Sequence, residues 1–104
     1  MSNIKVYLAC PYSDPDPEVE KWRVEMADKA AAYLMELEYI VFSPITHSSR
    51  LSKYLGKASD DHDFWLKQDA AWLEACEELY VLRLPGWKKS FGVAWELGYA
   101  KARK

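Results

Sequence analysis

A short, nearly continuous apolar run at Ile4–Ala9, a break at Asp14-Pro15-Asp16-Pro17 and a long amphipathic stretch beyond it constrain this chain more than anything else in it. Ile4, Val6, Tyr7 and Leu8 leave no polar alternation, which suits a strand covered on both faces of a parallel sheet. The Asp/Pro segment offers an N-cap and a proline for a first helical turn, so a helix is expected to begin near Asp16. Val19, Trp22, Arg23, Met26, Ala30, Tyr33, Leu34 and Leu37 then recur at three- and four-residue steps, predicting that this stripe faces the sheet. Tyr39–Phe42, cut off by Ser43-Pro44, reads as the second strand and completes a β-α-β unit.

From Ile45 to Ser59 no period of either kind is sustained, and a loop of that length in a small domain is usually functional or mobile. A second helix is expected from about Asp60 to Glu77, a third strand over Leu79–Leu84, a turn at Pro85-Gly86-Trp87 and a third helix from about Phe91. The order βαβ-loop-αβα predicts a parallel sheet with right-handed crossovers, in which ligands bind beyond the carboxyl ends of the strands. The expected sheet is small, with three to four strands in the order 2-1-3. Its open edge is one that a subunit partner would cover, giving a homo-oligomer, a dimer or tetramer.

With 104 residues, half of them apolar, the chain is long enough for one core, so residues 1–104 are expected to form a single domain. A net charge of −2 with acids and bases interspersed gives no footprint for duplex nucleic acid or an anionic membrane. No basic leader with an apolar run is visible, nor an apolar stretch near the roughly 20 residues of a membrane span, so a cytoplasmic protein is expected. Cys10 and Cys76 lack CxxC or Cys/His spacing and read as reduced packing residues. Five Trp and seven Tyr exceed what so small a core needs, which points to a pocket or subunit interface lined by some of them.

Two carboxylates fall where apolar residues belong. Along the second helix the stripe Trp65, Leu66, Trp72, Leu73, Cys76 is completed by Asp69. An unpaired buried carboxylate costs several kcal/mol or takes up a proton, so Asp69 needs a donor, a raised pKa or a pocket rim. A salt bridge to Lys67 or His62 would serve as well. Glu96 sits in the apolar stretch Ser90–Ala100, with Gly92 one turn before it, so its side chain has no Cβ between it and the Pro85–Ser90 loop. Ser90 stands at an N-cap position, where a helix N-terminus and a hydroxyl would also suit a phosphate. The P-loop pattern is absent. After the other strands, Tyr12 and Ser13 face the expected crevice, and His47, Ser48 and Ser49 follow Pro44 on the same side; His47 has no second ligand at metal-binding spacing, so no metal is expected.

The segments Tyr7-Leu8-Ala9-Cys10-Pro11-Tyr12-Ser13 and Ser90-x5-Glu96-Leu97-Gly98-Tyr99-Ala100, with Asp69 between them, resemble the nucleoside 2-deoxyribosyltransferase-like superfamily. Leu84-Pro85-Gly86-Trp87 and Ala9–Ser13 are similar to its DUF1937 branch. The resemblance implies a flavodoxin-like, three-layer αβα fold and chemistry at an N-glycosidic bond, without a cofactor. Glu96 would be the nucleophile, with Asp69 and Tyr7 completing the catalytic set; Ser90, Gly92, Tyr12, Ser13, His47, Ser48 and Trp87 form the candidate substrate and phosphate set. Where the transferases carry Asp six residues before the nucleophile, this chain has Ser90, as do relatives that hydrolyse nucleoside 5′-monophosphates. The expected function is thus release of free base from a nucleotide. The alternatives are base exchange by a transferase, a nucleotide-binding module that has lost turnover, favoured by Cys10 where relatives carry Gly, and a non-enzymatic interaction domain.

Overall fold

The computed structural model describes residues 3–56 and 61–102. Strand β1 spans Lys5–Ala9, helix α1 Pro17–Glu36, β2 Ile40–Phe42, α2 Pro44–Ser48, α3 Ser52–Leu55, α4 His62–Ala75, β3 Glu78–Val81 and α5 Phe91–Ala102, with a 3-10 turn at Trp87–Lys89 before α5. The three strands are parallel in the order β2-β1-β3, pairing Tyr7 with Phe42 on one side and with Leu79 on the other. Residues of α4 and α5 pack on the face of β1 that carries Tyr7 and Ala9, α1 packs against β2, and the right-handed rule for parallel crossovers puts α1 on the opposite face. This is the flavodoxin-like three-layer arrangement.

Central β1 is buried from Val6 to Ala9. On the α4/α5 face Tyr7 and Ala9 pack with Leu73, and Phe42, Leu79, Val81, Trp95 and Tyr99 close around them. Helix α1 starts as its sequence dictates: the Asp16 carboxylate accepts from Glu18 N–H at 2.9 Å, and Pro17 follows as the first helical residue. Its end is less orthodox. Glu38 takes φ +73°, Glu38 N–H bonds Met35 C=O at 2.9 Å and Tyr39 N–H bonds Leu34 C=O at 3.2 Å, a Schellman closure with a glutamate where glycine is usual.

Helix α1 buries a face rotated from the expected stripe, keeping Arg23 buried and Val19, Met26, Ala30 and Leu34 half-buried. Arg23, Ala27 and Ala31, one turn apart, are buried, whereas Trp22 is 42% exposed and Tyr33 63%, and Leu37 is likewise exposed. Alanines let the helix axis lie close to the sheet, and the bulky residues to either side are displaced from that narrow contact. The aperiodic stretch is not a bare loop either. Ser43 caps α2, its Oγ accepting from Thr46 N–H at 3.4 Å, and Pro44 begins that helix; residues 57–59 and the expected helix start at Asp60 lie outside the described residues. Helix α4 begins on Asp61, whose carboxylate accepts from Phe64 N–H at 3.3 Å. Strand β3 stops at Val81 because its partner ends: Ala9 pairs with Val81 and accepts one last bond from Leu82 N–H at 2.8 Å.

Candidate active site

A cavity of about 300 Å³ opens at the carboxyl end of the sheet, between the segments that follow all three strands. The β1 end contributes Cys10, Tyr12 and Ser13, the β2 end Pro44, Ile45 and Ser48, and the β3 end Lys89, Ser90 and Gly92. Trp65, Leu66 and Asp69 of α4 and Glu96 of α5 line its inner wall. The stripe on α4 therefore divides: its first turns face the cavity, Leu73 enters the core, and Trp72 turns outward, 41% exposed and stacked on Phe42 at 4.3 Å.

Glu96 is 5% exposed, and its carboxyl accepts a short hydrogen bond from the hydroxyl of Tyr7, which is fully buried on the central strand. Asp69 lies near enough for the same hydroxyl to favour its charged form. Two carboxyl groups thus stand at the wall of one cavity, with Tyr7 donating to Glu96. Burial pushes Glu96 up to about 8; the Tyr7 hydrogen bond opposes this and the charge of Asp69 adds to it. Burial likewise raises Asp69 to about 6 against the Tyr7 hydrogen bond. Tyr7 itself is held neutral, first by burial and then by the two carboxylate charges. Burial thus favours the protonated form of both carboxyls, more strongly at Glu96 than at Asp69.

Helix α5 begins at Ser90, whose Oγ accepts from Val93 N–H at 3.2 Å, leaving its hydroxyl proton directed elsewhere. A Cβ built on Gly92 meets only Ser90 Oγ, at an ordinary 3.9 Å, so the missing side chain leaves space in the cavity rather than relieving a clash. Cys10 is buried, donates to Pro11 C=O at 3.3 Å and has its thiol pushed up to about 12 by burial, with Arg23 opposing.

Arg23 supports the site from behind. Its Nη1 donates to the carbonyls of Tyr12 and Ser13 at 3.3 and 3.0 Å, and its Nη2 to the carbonyl of Pro85 at 3.1 Å. One buried guanidinium therefore ties the segment after β1 to the segment after β3. Leu84–Trp87 is a type II turn, closed by Trp87 N–H to Leu84 C=O at 3.0 Å, with Gly86 at φ +90°. A Cβ at Gly86 would stand 2.9 Å from Arg23 Nη2, so both backbone conformation and close approach require glycine there.

Of the residues singled out in the sequence, Glu96, Asp69, Ser90, Gly92, Tyr12, Ser13 and Ser48 line the cavity, and Tyr7 lies beneath it. His47 and Trp87 do not line it. Pro44, Ile45 and Ser48 share one face of α2, so the adjacent His47 turns away and packs on Phe42 at 5.3 Å, its Nδ1 3.1 Å from Ser48 Oγ. Trp87 stands outside with Arg83 and Lys88 against its ring, at 5.2 and 5.8 Å. Ser49 lines the cavity as well, and Lys89, Ser52, His62 and Phe91 do so without having been singled out. For Lys89 the signal was its place next to Ser90; for Ser52 it was the aperiodic stretch itself. Among the described residues no group of three His, Cys, Asp or Glu side chains converges as a metal site, and no helix is long and apolar enough to cross a membrane.

The sheet order and an acid-lined cavity at its carboxyl end define a flavodoxin-like α/β domain with a paired-carboxyl pocket. The chain belongs to the DUF1937 family, a domain of unknown function, whose profile matches residues 4–104. It shares its fold with a solved 2-deoxyribosyltransferase from the psychrotolerant bacterium Bacillus psychrosaccharolyticus, at 22% identity and a TM-score of 0.64. The alignment covers 94% of this chain, which spans 65% of the length of that enzyme. Comparison with curated proteins gives no match.

Proposed function

We propose that this domain cleaves the N-glycosidic bond of a nucleoside 5′-monophosphate, with Glu96 as nucleophile and Asp69 as acid. The observation that carries this reading is the meeting of two carboxyl groups, Asp69 and a Glu96 bonded to the buried Tyr7 hydroxyl, at the wall of one cavity sized for a small molecule. The fold shared with an enzyme described as a 2-deoxyribosyltransferase used for nucleoside synthesis supports the same bond as the target. Ser90 and the first N–H groups of α5 supply donors for the 5′-phosphate.

In the proposed reaction a Glu96 oxygen bonds to C1′ as the C1′–N bond breaks, and its electron pair leaves on the base nitrogen, which takes a proton from Asp69. Water then attacks C1′, gives its proton to Asp69, and the C1′–O bond to Glu96 breaks. The productive form has Glu96 ionised and the proton on Asp69. Tyr7 donates to Glu96, and in this reading that bond steadies the ionised nucleophile. Should a second base replace water, the same residues perform transfer. A binding module without turnover is favoured by one observation, the burial of Glu96, which disfavours the ionised form a nucleophile needs.

The test is release of free base from a panel of nucleosides and nucleoside 5′-monophosphates. Glu96→Gln is expected to abolish release, and a 2′-fluoro-2′-deoxy nucleotide to leave a mass adduct on the peptide bearing Glu96. Full activity in Glu96→Gln, or an adduct on another peptide, would remove the assigned nucleophile; binding without release in the wild type would leave the module.

A further inference from the structure

The segment between β3 and α5 is charged in one sense only. Residues 79–95 hold Arg83, Lys88 and Lys89 and no Asp or Glu, in a chain whose net charge is −2. Among the described residues the ion pairs are Lys5–Glu77, Arg23–Asp14 and Lys29–Glu25, so none of these three cations is neutralised by a carboxylate. Arg83 and Lys88 both pack against the ring of Trp87, at 5.2 and 5.8 Å from its centre, so one indole braces two positive groups. Lys89 continues the row into the cavity wall beside Ser90.

The segment is also stiff. Gly86 in its left-handed turn, the Arg23 bond to Pro85 and the backbone bonds Lys89 N–H to Gly86 C=O and Ser90 N–H to Trp87 C=O fix its path. Unpaired like charges held together repel one another, which lowers stability unless an anion is the intended partner. A single phosphate at Ser90 would engage Lys89 and leave Arg83 and Lys88 unused.

We propose that Arg83, Lys88 and Lys89, braced by Trp87, form a polyphosphate-binding ledge continuous with the cavity, and that the substrates are nucleoside 5′-di- and triphosphates. This rests on the proposed nucleotide site, with the first phosphate at Ser90 and the others leaving the cavity along the ledge. Bond cleavage is unchanged: base is released and the sugar keeps its polyphosphate.

Calorimetric titration with nucleoside 5′-mono-, di- and triphosphates, and with inorganic tripolyphosphate, tests this on the wild type and on the exposed double variant Arg83→Ala/Lys88→Ala. Each added phosphate is expected to tighten binding by about three- to fivefold at low salt, as for exposed ion pairs. That gain should shrink in 1 M salt and vanish in the double variant, with monophosphate affinity retained. Equal affinity for mono- and triphosphates, or a gain that survives in the variant, overturns the ledge while leaving the monophosphate reading intact. Tripolyphosphate bound by the wild type and not by the variant, with no affinity for nucleosides or monophosphates, would support the ledge and sink the glycosidase. Binding of none of these ligands overturns both.

Discussion

Replacing Glu96 by glutamine should change how stability depends on pH. An ordinary glutamate near 4.5 loses its proton in the unfolded chain well below neutral pH, whereas in the fold burial holds Glu96 at about 8. Below pH 4.5 both states are protonated and the side chain is neutral in each. Between the two values the unfolded chain has released a proton that the folded state still binds, so stability falls as pH rises, and the loss is complete above about 8. At about 1.4 kcal/mol per pH unit over that interval the loss is roughly 5 kcal/mol. Asp69, raised from 3.8 to about 6, adds a decline at lower pH of roughly 3 kcal/mol. Set against the roughly 5–15 kcal/mol that holds a typical domain together, these are large terms. Glutamine preserves shape and an acceptor for Tyr7 but does not titrate. Urea unfolding at pH 5, 6, 7, 8 and 9 should find the Glu96→Gln variant near wild type at pH 5 and several kcal/mol more stable at pH 9, at unchanged m-value. A wild type with flat stability from pH 6 to 9, or two parallel curves, would refute the picture of a buried, protonated Glu96.

Gly86→Ala places a side chain at φ +90° and 2.9 Å from Arg23 Nη2, and a loss of about 2 kcal/mol by urea unfolding is expected; a neutral result would mean that the turn is not fixed by Arg23. Glu38→Gly removes the left-handed strain from the α1 closure and should stabilise by roughly 0.5–1 kcal/mol; destabilisation would show that Glu38 makes a compensating contact. If the domain releases base, kcat/KM should be bell-shaped in pH with limbs near 6 and 8, because the active form carries one proton shared by the Asp69–Tyr7–Glu96 group, whichever carboxyl holds it. A profile that rises monotonically past pH 9 contradicts a shared proton.

Strands and long helices were readable because their signals are local and repeated: the apolar run at β1, the Asp16-Pro17 cap and the period of α4. The buried face of α1 was not, because hydrophobic size marks Trp22 and Tyr33 while helix-to-sheet distance selects Ala27 and Ala31. Helices α2 and α3 are too short to show a period, although Ser43-Pro44 already carried the cap and first-turn signal that opens α2. At the cavity, the misfit of Asp69 and Glu96 with their apolar stripes singled out both carboxyls. How far each is pushed toward its protonated form was hidden, since that depends on depth of burial and, for Glu96, on a hydroxyl distant in sequence. His47 illustrates the limit at the loop ends: sequence placed it at the right end of the sheet, but one residue of helical rotation decides whether a ring looks inward.

Tyr7 belongs to the central strand, and the Glu96 it bonds and the neighbouring Asp69 come from α5 and α4 on a single face of the sheet. The spacing of the acidic pair is therefore fixed by the framework, while the rim comes from the segments that follow the strands. Insertions or exchanges in those segments can alter which molecule is admitted without moving the pair, so recognition and chemistry are free to diverge separately in descendants of this scaffold.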